Sequence, residues 1–225
     1  MKRANLFTVF ALASAFIMIG QVQGKDFKGI ISYKITFTGA EIPAEMQSFM
    51  PKMLKTSFSG ALTKTEMLGG AYKTISIKNG DEKSVVTLID MMGNKVGFKA
   101  TEDEIKEEIT GKSDVKVEIM NETKEILGYE CKKALITTTE EGQEIRLTVY
   151  FTDALGTNSN YFDTPEFKDI EGIMLEFQMV SAEFTMNFTA SSIEEKKVPE
   201  SEFEIPAEYK MMTKAEFESQ FGGGM

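Results

Sequence analysis

The stretch AEMQSFMPKMLKT, Ala44 to Thr56, decides how the chain is read: Met46, Phe49, Met50, Met53 and Leu54 fall at i, i+3, i+4, i+7 and i+8. That spacing predicts one apolar face of a helix. Nearly everything after it alternates with a period of two, so this stripe is expected to lie on, or inside, a large curved sheet. Pro43 suits the first turn of such a helix. Pro51 interrupts it, because an interior proline deletes one backbone hydrogen bond and clashes with the preceding turn, at a cost of ~3 kcal/mol. Either the helix kinks near Met50, or a second short helix starts at Ser48 with Pro51 in its first turn, where an N–H has no partner anyway.

Upstream, Ile31, Tyr33, Ile35 and Phe37 alternate with Ser32, Lys34 and Thr36, a half-buried strand that Gly39 ends. Downstream, runs at Ser57 to Glu66, Ala71 to Lys78, Ser84 to Asp90 and Lys95 to Lys99 are separated by Gly69-Gly70, Asn79-Gly80-Asp81 and Gly93-Asn94. Such short connections imply an antiparallel meander. Thr101 to Asp114 is acidic and reads as a solvated loop or short surface helix, without the spacing of a calcium loop. Val115, Val117 and Ile119 restart the alternation, Asn121 to Gly128 turns, and Tyr129 to Thr138 returns. Arg146 to Thr152 follows, then a polar loop from Asp153 to Pro165 carrying Tyr161 and Phe162.

The last strong strand pair, Ile173 to Val180 and Glu183 to Ile193, presents Leu175, Phe177 and Met179, then Phe184, Met186 and Phe188. Thr213 to Glu216 is a capping-box pattern opening a short C-terminal helix with Phe217 and Phe221 on one edge. About ten strands with few parallel crossovers make the class mostly β. The expected architecture is an antiparallel curved sheet, a half-barrel or open barrel, with a kinked Met-rich helix on the concave face and a short C-terminal helix.

The first residues, MKRANLFTVFALASAFIMIG, place two cations before an apolar run from Leu6 to Ile19, and Val22 and Gly24 supply small side chains before Lys25. Residues 1–24 therefore read as a signal peptide, 25–221 as a single β-rich domain and 222–225 as a flexible tail. The apolar run is shorter than the ~20 residues of a spanning helix. No stable membrane span is expected after cleavage. No cysteine follows the run to accept a lipid, so the expected location is the periplasm or the secreted fraction.

The full chain carries a net charge of −10, and losing Lys2 and Arg3 takes it to −12. Nucleic acid is a disfavoured partner. The single cysteine, Cys131, cannot form an intrachain disulfide and reads as a buried small hydrophobe. There is no histidine, which removes His-based triads and His-liganded zinc, and no Gly-x-Ser-x-Gly, Walker A or Gly-x-Gly-x-x-Gly pattern. A carboxylate pair could still hydrolyse a glycosidic bond, but tryptophan, the usual sugar platform, is absent. The expectation is a non-enzymatic protein without a cofactor.

The positive signal is methionine, 15 in the chain. It adapts to varied apolar shapes and recurs on promiscuous binding surfaces. Met46, Phe49, Met50, Met53, Leu54, Leu175, Phe177, Met179, Phe184, Met186 and Phe188 are the candidate ligand-binding residues. One reading is a cavity between helix and sheet that takes a lipid or another large apolar ligand. The other is a filled core in a structural module that docks an envelope protein.

Glu122 to Ala134, ETKEILGYECKKA, with VYFTDAL at Val149 to Leu155 and the endings Phe203 to Pro206 and Tyr209 to Thr213, resembles a family of uncharacterised secreted Bacteroidetes proteins. This is the domain-of-unknown-function set related to the GLPGLI-type group. Glu171 to Phe177 departs from that motif, which carries Leu-Pro after its first glycine, and this points to a sister branch. The resemblance implies a secreted compartment, a lipoprotein-carrier-like (LolA-like) half-barrel and a lipid-binding role. It implies no catalytic residue.

Overall fold

The alternation read from the sequence becomes a single sheet in the computed structural model, which describes residues 26–39, 42–43, 47, 49–70, 72–110, 115–140, 143–156, 160–180 and 184–221. The first half contains β1 (Lys28–Gly39), β2 (Met53–Ser59), β3 (Leu62–Leu68), β4 (Tyr72–Asn79), β5 (Ser84–Met91) and β6 (Asn94–Ala100). After α1 (Glu102–Ile109) come β7 (Lys116–Ile126), β8 (Tyr129–Glu140), β9 (Gln143–Thr152), β10 (Ile173–Val180) and β11 (Phe184–Glu195), and β12 (Lys210–Met212) and α2 (Lys214–Phe221) close the chain.

The twelve strands form one large open curved sheet in the order β12-β6-β5-β4-β3-β2-β1-β11-β10-β9-β8-β7. It is two antiparallel meanders, β1 to β6 and β7 to β11, joined where β11 pairs with β1. Among the described residues only the short β12 joins in parallel, beside β6. Two hairpins turn through Met92-Gly93 and Leu127-Gly128, where φ is +53° and +89°, then +52° and +85°. Left-handed backbone at both central residues gives a turn whose twist matches the flanking strands, and glycine takes the second position without strain. The turn expected over Asn121 to Gly128 is therefore only its last two residues. β7 continues to Ile126, with a register irregularity between Ile119 and Thr123.

The Met-rich helix needs correction. Gln47 is helical and its N–H donates to the Pro43 carbonyl at 3.2 Å, but Met53 and Leu54 belong to β2. Pro51 ends the helical option, and from Leu54 onward Leu54, Thr56 and Phe58 supply a period of two that β1 satisfies along Lys28 to Lys34. A helix through Leu54 would forfeit that whole ladder. Adjacent residues of a strand face opposite ways, so Leu54 is buried opposite Tyr33 while Met53 is 44 % exposed. Met46, the signal peptide expected over residues 1–24 and the tail expected over 222–225 lie outside the described residues.

Each face of the sheet is covered in part. On the inner face, the connection from β9 to β10 folds back, and its Phe167 meets Phe177 edge-on at 6.2 Å. Near β5 and β6, Ile105 of α1 packs with Val85 and Ala100, and Phe217 of α2 lies 4.7 Å from Phe98. Both helices open with a capping box: the Thr101 and Thr213 backbone N–H groups each donate to a glutamate, Glu104 and Glu216, at 2.8 Å. On the outer face, Val198, Phe203 and Tyr209 pack on Ile75, Ile77, Val86 and Leu88.

Charge fastens this C-terminal segment to the strands. Glu202 reaches Lys64 at 3.4 Å and Lys55 at 3.8 Å, while Glu66 between them meets Lys73 at 2.6 Å. Burial acts to raise the Glu66 carboxyl, but the Lys73 hydrogen bond and the Lys64, Lys73 and Lys55 charges outweigh it and hold the group below its ordinary value. A carboxyl lowered in the folded state stabilises fully above its unfolded value, and that contribution is lost as pH falls through the folded one. Stability is thus expected to decline downward from about pH 4.5. Glu66→Gln should flatten that slope and cost about 1 kcal/mol at neutral pH, as read by urea unfolding at stepped pH.

Candidate functional site

The inner face forms a partly open cavity of about 280 Å³. Cross-strand register builds its walls in layers. Leu54 pairs with Met67 and Met67 with Thr74; the next layer is Thr56, Thr65 and Ser76; the third is Phe58, Thr63 and Lys78. Tyr33 of β1, Phe188 and Met186 of β11, and Phe177 and Met179 of β10 continue the wall on the other side. Tyr161 and Phe167 line it from the β9–β10 connection. The walls therefore differ in chemistry, with Met174, Phe177, Met179, Met186 and Phe188 on β10 and β11, and hydroxyls together with Met67 and Phe58 on β2 to β4.

Polar contacts fix the cover and one corner. Lys78 Nζ lies 2.7 Å from Asp163 Oδ1, with both side chains under a fifth exposed. Asn160 Nδ2 donates to Thr63 Oγ1 at 2.6 Å, and Lys83 stands 5.1 Å over the Phe162 ring. Gly80 leaves Asn160 its place, since a Cβ there would fall on Asn160 Oδ1. On the opposite wall, Tyr33 Oη donates to the Met174 carbonyl at 2.9 Å. Burial, aided by Tyr161, pushes this phenol well above its ordinary value, so it stays a neutral donor.

Of the eleven candidates, Leu54, Phe177, Met179, Met186 and Phe188 line the cavity. Leu175 is fully buried in the core beside it, and Phe184 instead meets Phe37 edge-on at 5.5 Å. Phe49 and Met53 are exposed. Met50 lines a separate cleft of about 480 Å³ with Phe37 and Pro51, between the end of β1 and the segment leading into β2. Sequence reasoning missed the hydroxyl layers and the cover formed by Asn160, Tyr161 and Phe167. The alternation of Thr74, Ser76 and Lys78 with Ile75 and Ile77 separates the two faces of β4, and only the fold shows that the hydroxyl face is the cavity side.

Cys131 is fully buried, and burial together with the Glu176 charge pushes its thiol up to about 11, so it is an inert packing group. Among the described residues, no group of three or more His, Cys, Asp or Glu could hold a metal ion, and no helix is long and apolar enough to cross a membrane. The cavity is partly open to solvent, so an occupant gains about 25 cal/mol for each Å² of apolar wall it covers. Water can wet the hydroxyl wall, but the methionine and phenylalanine wall has only an apolar occupant to gain from. No protein-family model and no curated protein matches the chain.

Proposed function

We propose that this is a non-enzymatic binding protein of the periplasm or the secreted fraction that holds the apolar chain of a lipid or similar ligand within its half-barrel. The observation that carries the reading is the cavity of about 280 Å³ with Met67, Met174, Met179 and Met186 on its walls. Its size is close to the ~300 Å³ at which small-molecule sites begin, and its methionines adapt to a flexible chain. The likeness of Glu122 to Ala134 to secreted Bacteroidetes proteins agrees with this role and compartment.

Here the β9–β10 connection, rather than a Met-rich helix, is the cover over the ligand. Native mass spectrometry of the protein taken from its own envelope, followed by lipid extraction, tests the proposal. One bound lipid-sized mass per chain is the expected result. Ligand-free protein that also shows no saturable binding of an apolar dye would favour a structural module instead.

A further inference from the structure

The hydroxyls are arranged as a row. Thr56, Thr65 and Ser76 are consecutive cross-strand neighbours on one face, and all three line the cavity. Thr63 lies one layer above and Thr74 one layer below. Among the described residues, Thr56 Oγ1 and Thr65 Oγ1 stand 3.4 Å apart, a long contact that leaves both groups capacity to bond elsewhere. A hydroxyl both donates and accepts. Strands lie about 4.8 Å apart, so the row offers regularly spaced positions of either kind. A pure hydrocarbon would strip these groups of water and return no hydrogen bond.

The charge on the walls is equally selective. Among the described lining residues only Lys78 is charged, and Asp163 neutralises it at 2.7 Å. A carboxylate or phosphate entering here would lose its hydration and meet no free counter-charge. The chain's net charge of −10 also repels anions at long range.

We propose that the cavity selects an uncharged single-chain amphiphile, with a hydroxyl- or ester-bearing head on the Thr56–Thr65–Ser76 row and the chain against Met179, Met186 and Phe188. This rests on the cavity being a ligand site, and the test separates the two. Delipidated protein is loaded with Nile red, which is displaced by a monoacylglycerol or by the fatty-acid anion of the same chain length, at about pH 8 where a carboxylate is ionised. The monoacylglycerol should compete about tenfold better, one tenfold step being a modest free-energy difference.

T65V/S76A should bring the two competitors to within about threefold, since each lost hydroxyl removes one net hydrogen bond. Asp163→Asn, which frees Lys78, should raise the anion's affinity about tenfold. Wild-type protein that binds the dye but takes the anion equally well or better overturns the head-group assignment and leaves the cavity reading standing. Absence of saturable dye binding overturns both. The wild-type comparison decides the matter even where a variant fails to fold.

Discussion

Truncating Phe188 to alanine is expected to lower the unfolding free energy by about 3 to 5 kcal/mol. The ring is 1 % exposed and stacks on Phe177 with centroids 4.6 Å apart and planes 6° from parallel. It also sits opposite Ile35 on β1, at the seam where the two meanders meet. Removing it breaks a packed aromatic pair and enlarges a void that neighbouring strands cannot close without losing register. Met179→Ala, one layer further along and 44 % exposed, should cost less than about 1 kcal/mol. Urea unfolding of both variants checks the contrast; similar losses would mean that the seam is not where the sheet is held together.

Placing tryptophan at Thr65 should have the opposite profile, a preserved fold with ligand binding lost. Thr65 stands in the middle layer of the cavity wall, so an indole there projects into open space. Denying a ligand about 100 Å² of apolar contact removes about 2.5 kcal/mol, close to a hundredfold in affinity. The chain contains no tryptophan, so the new residue reports on itself. Blue-shifted emission, an unchanged or higher melting temperature and a hundredfold weaker dye complex are expected together. A stable variant with emission from buried indole and full dye affinity would place the ligand elsewhere.

The period-two pattern made most strands legible, from Ile31 to Phe37 in β1 to Leu147 to Phe151 in β9, because half-burial on a pleated sheet imposes that alternation directly. The stripe at Ala44 to Thr56 was ambiguous for a physical reason. Met53 and Leu54 satisfy helical spacing and also begin a strand, and only the waiting edge of β1 decides between them. Alternation separates two faces but does not say which one is inner. In β4 the isoleucines look like the core side, yet they pack on Val198, Phe203 and Tyr209, while Thr74 and Ser76 face the cavity.

Threonine gives no warning, since its β-branch suits a strand on either face. The cover was hidden for another reason. Asp153 to Pro165 is locally a polar loop, and Tyr161 and Phe167 gain their role only from strands distant in sequence. The five candidates that do line the cavity came from β2 and the β10–β11 pair, where apolar alternation and the inner face coincide.

Methionine-methyl NMR during titration with a monoacylglycerol tests the central claim most directly, because methionines report from both inside and outside the cavity. Met67, Met174, Met179 and Met186 line it, whereas Met91, Met92 and Met211, on β5, the β5–β6 turn and β12, are exposed and are not part of its lining. Saturable shifts at the first four with the other three unmoved are the predicted result. Shifts confined to the exposed methionines, or none at all, would contradict a ligand site inside the half-barrel.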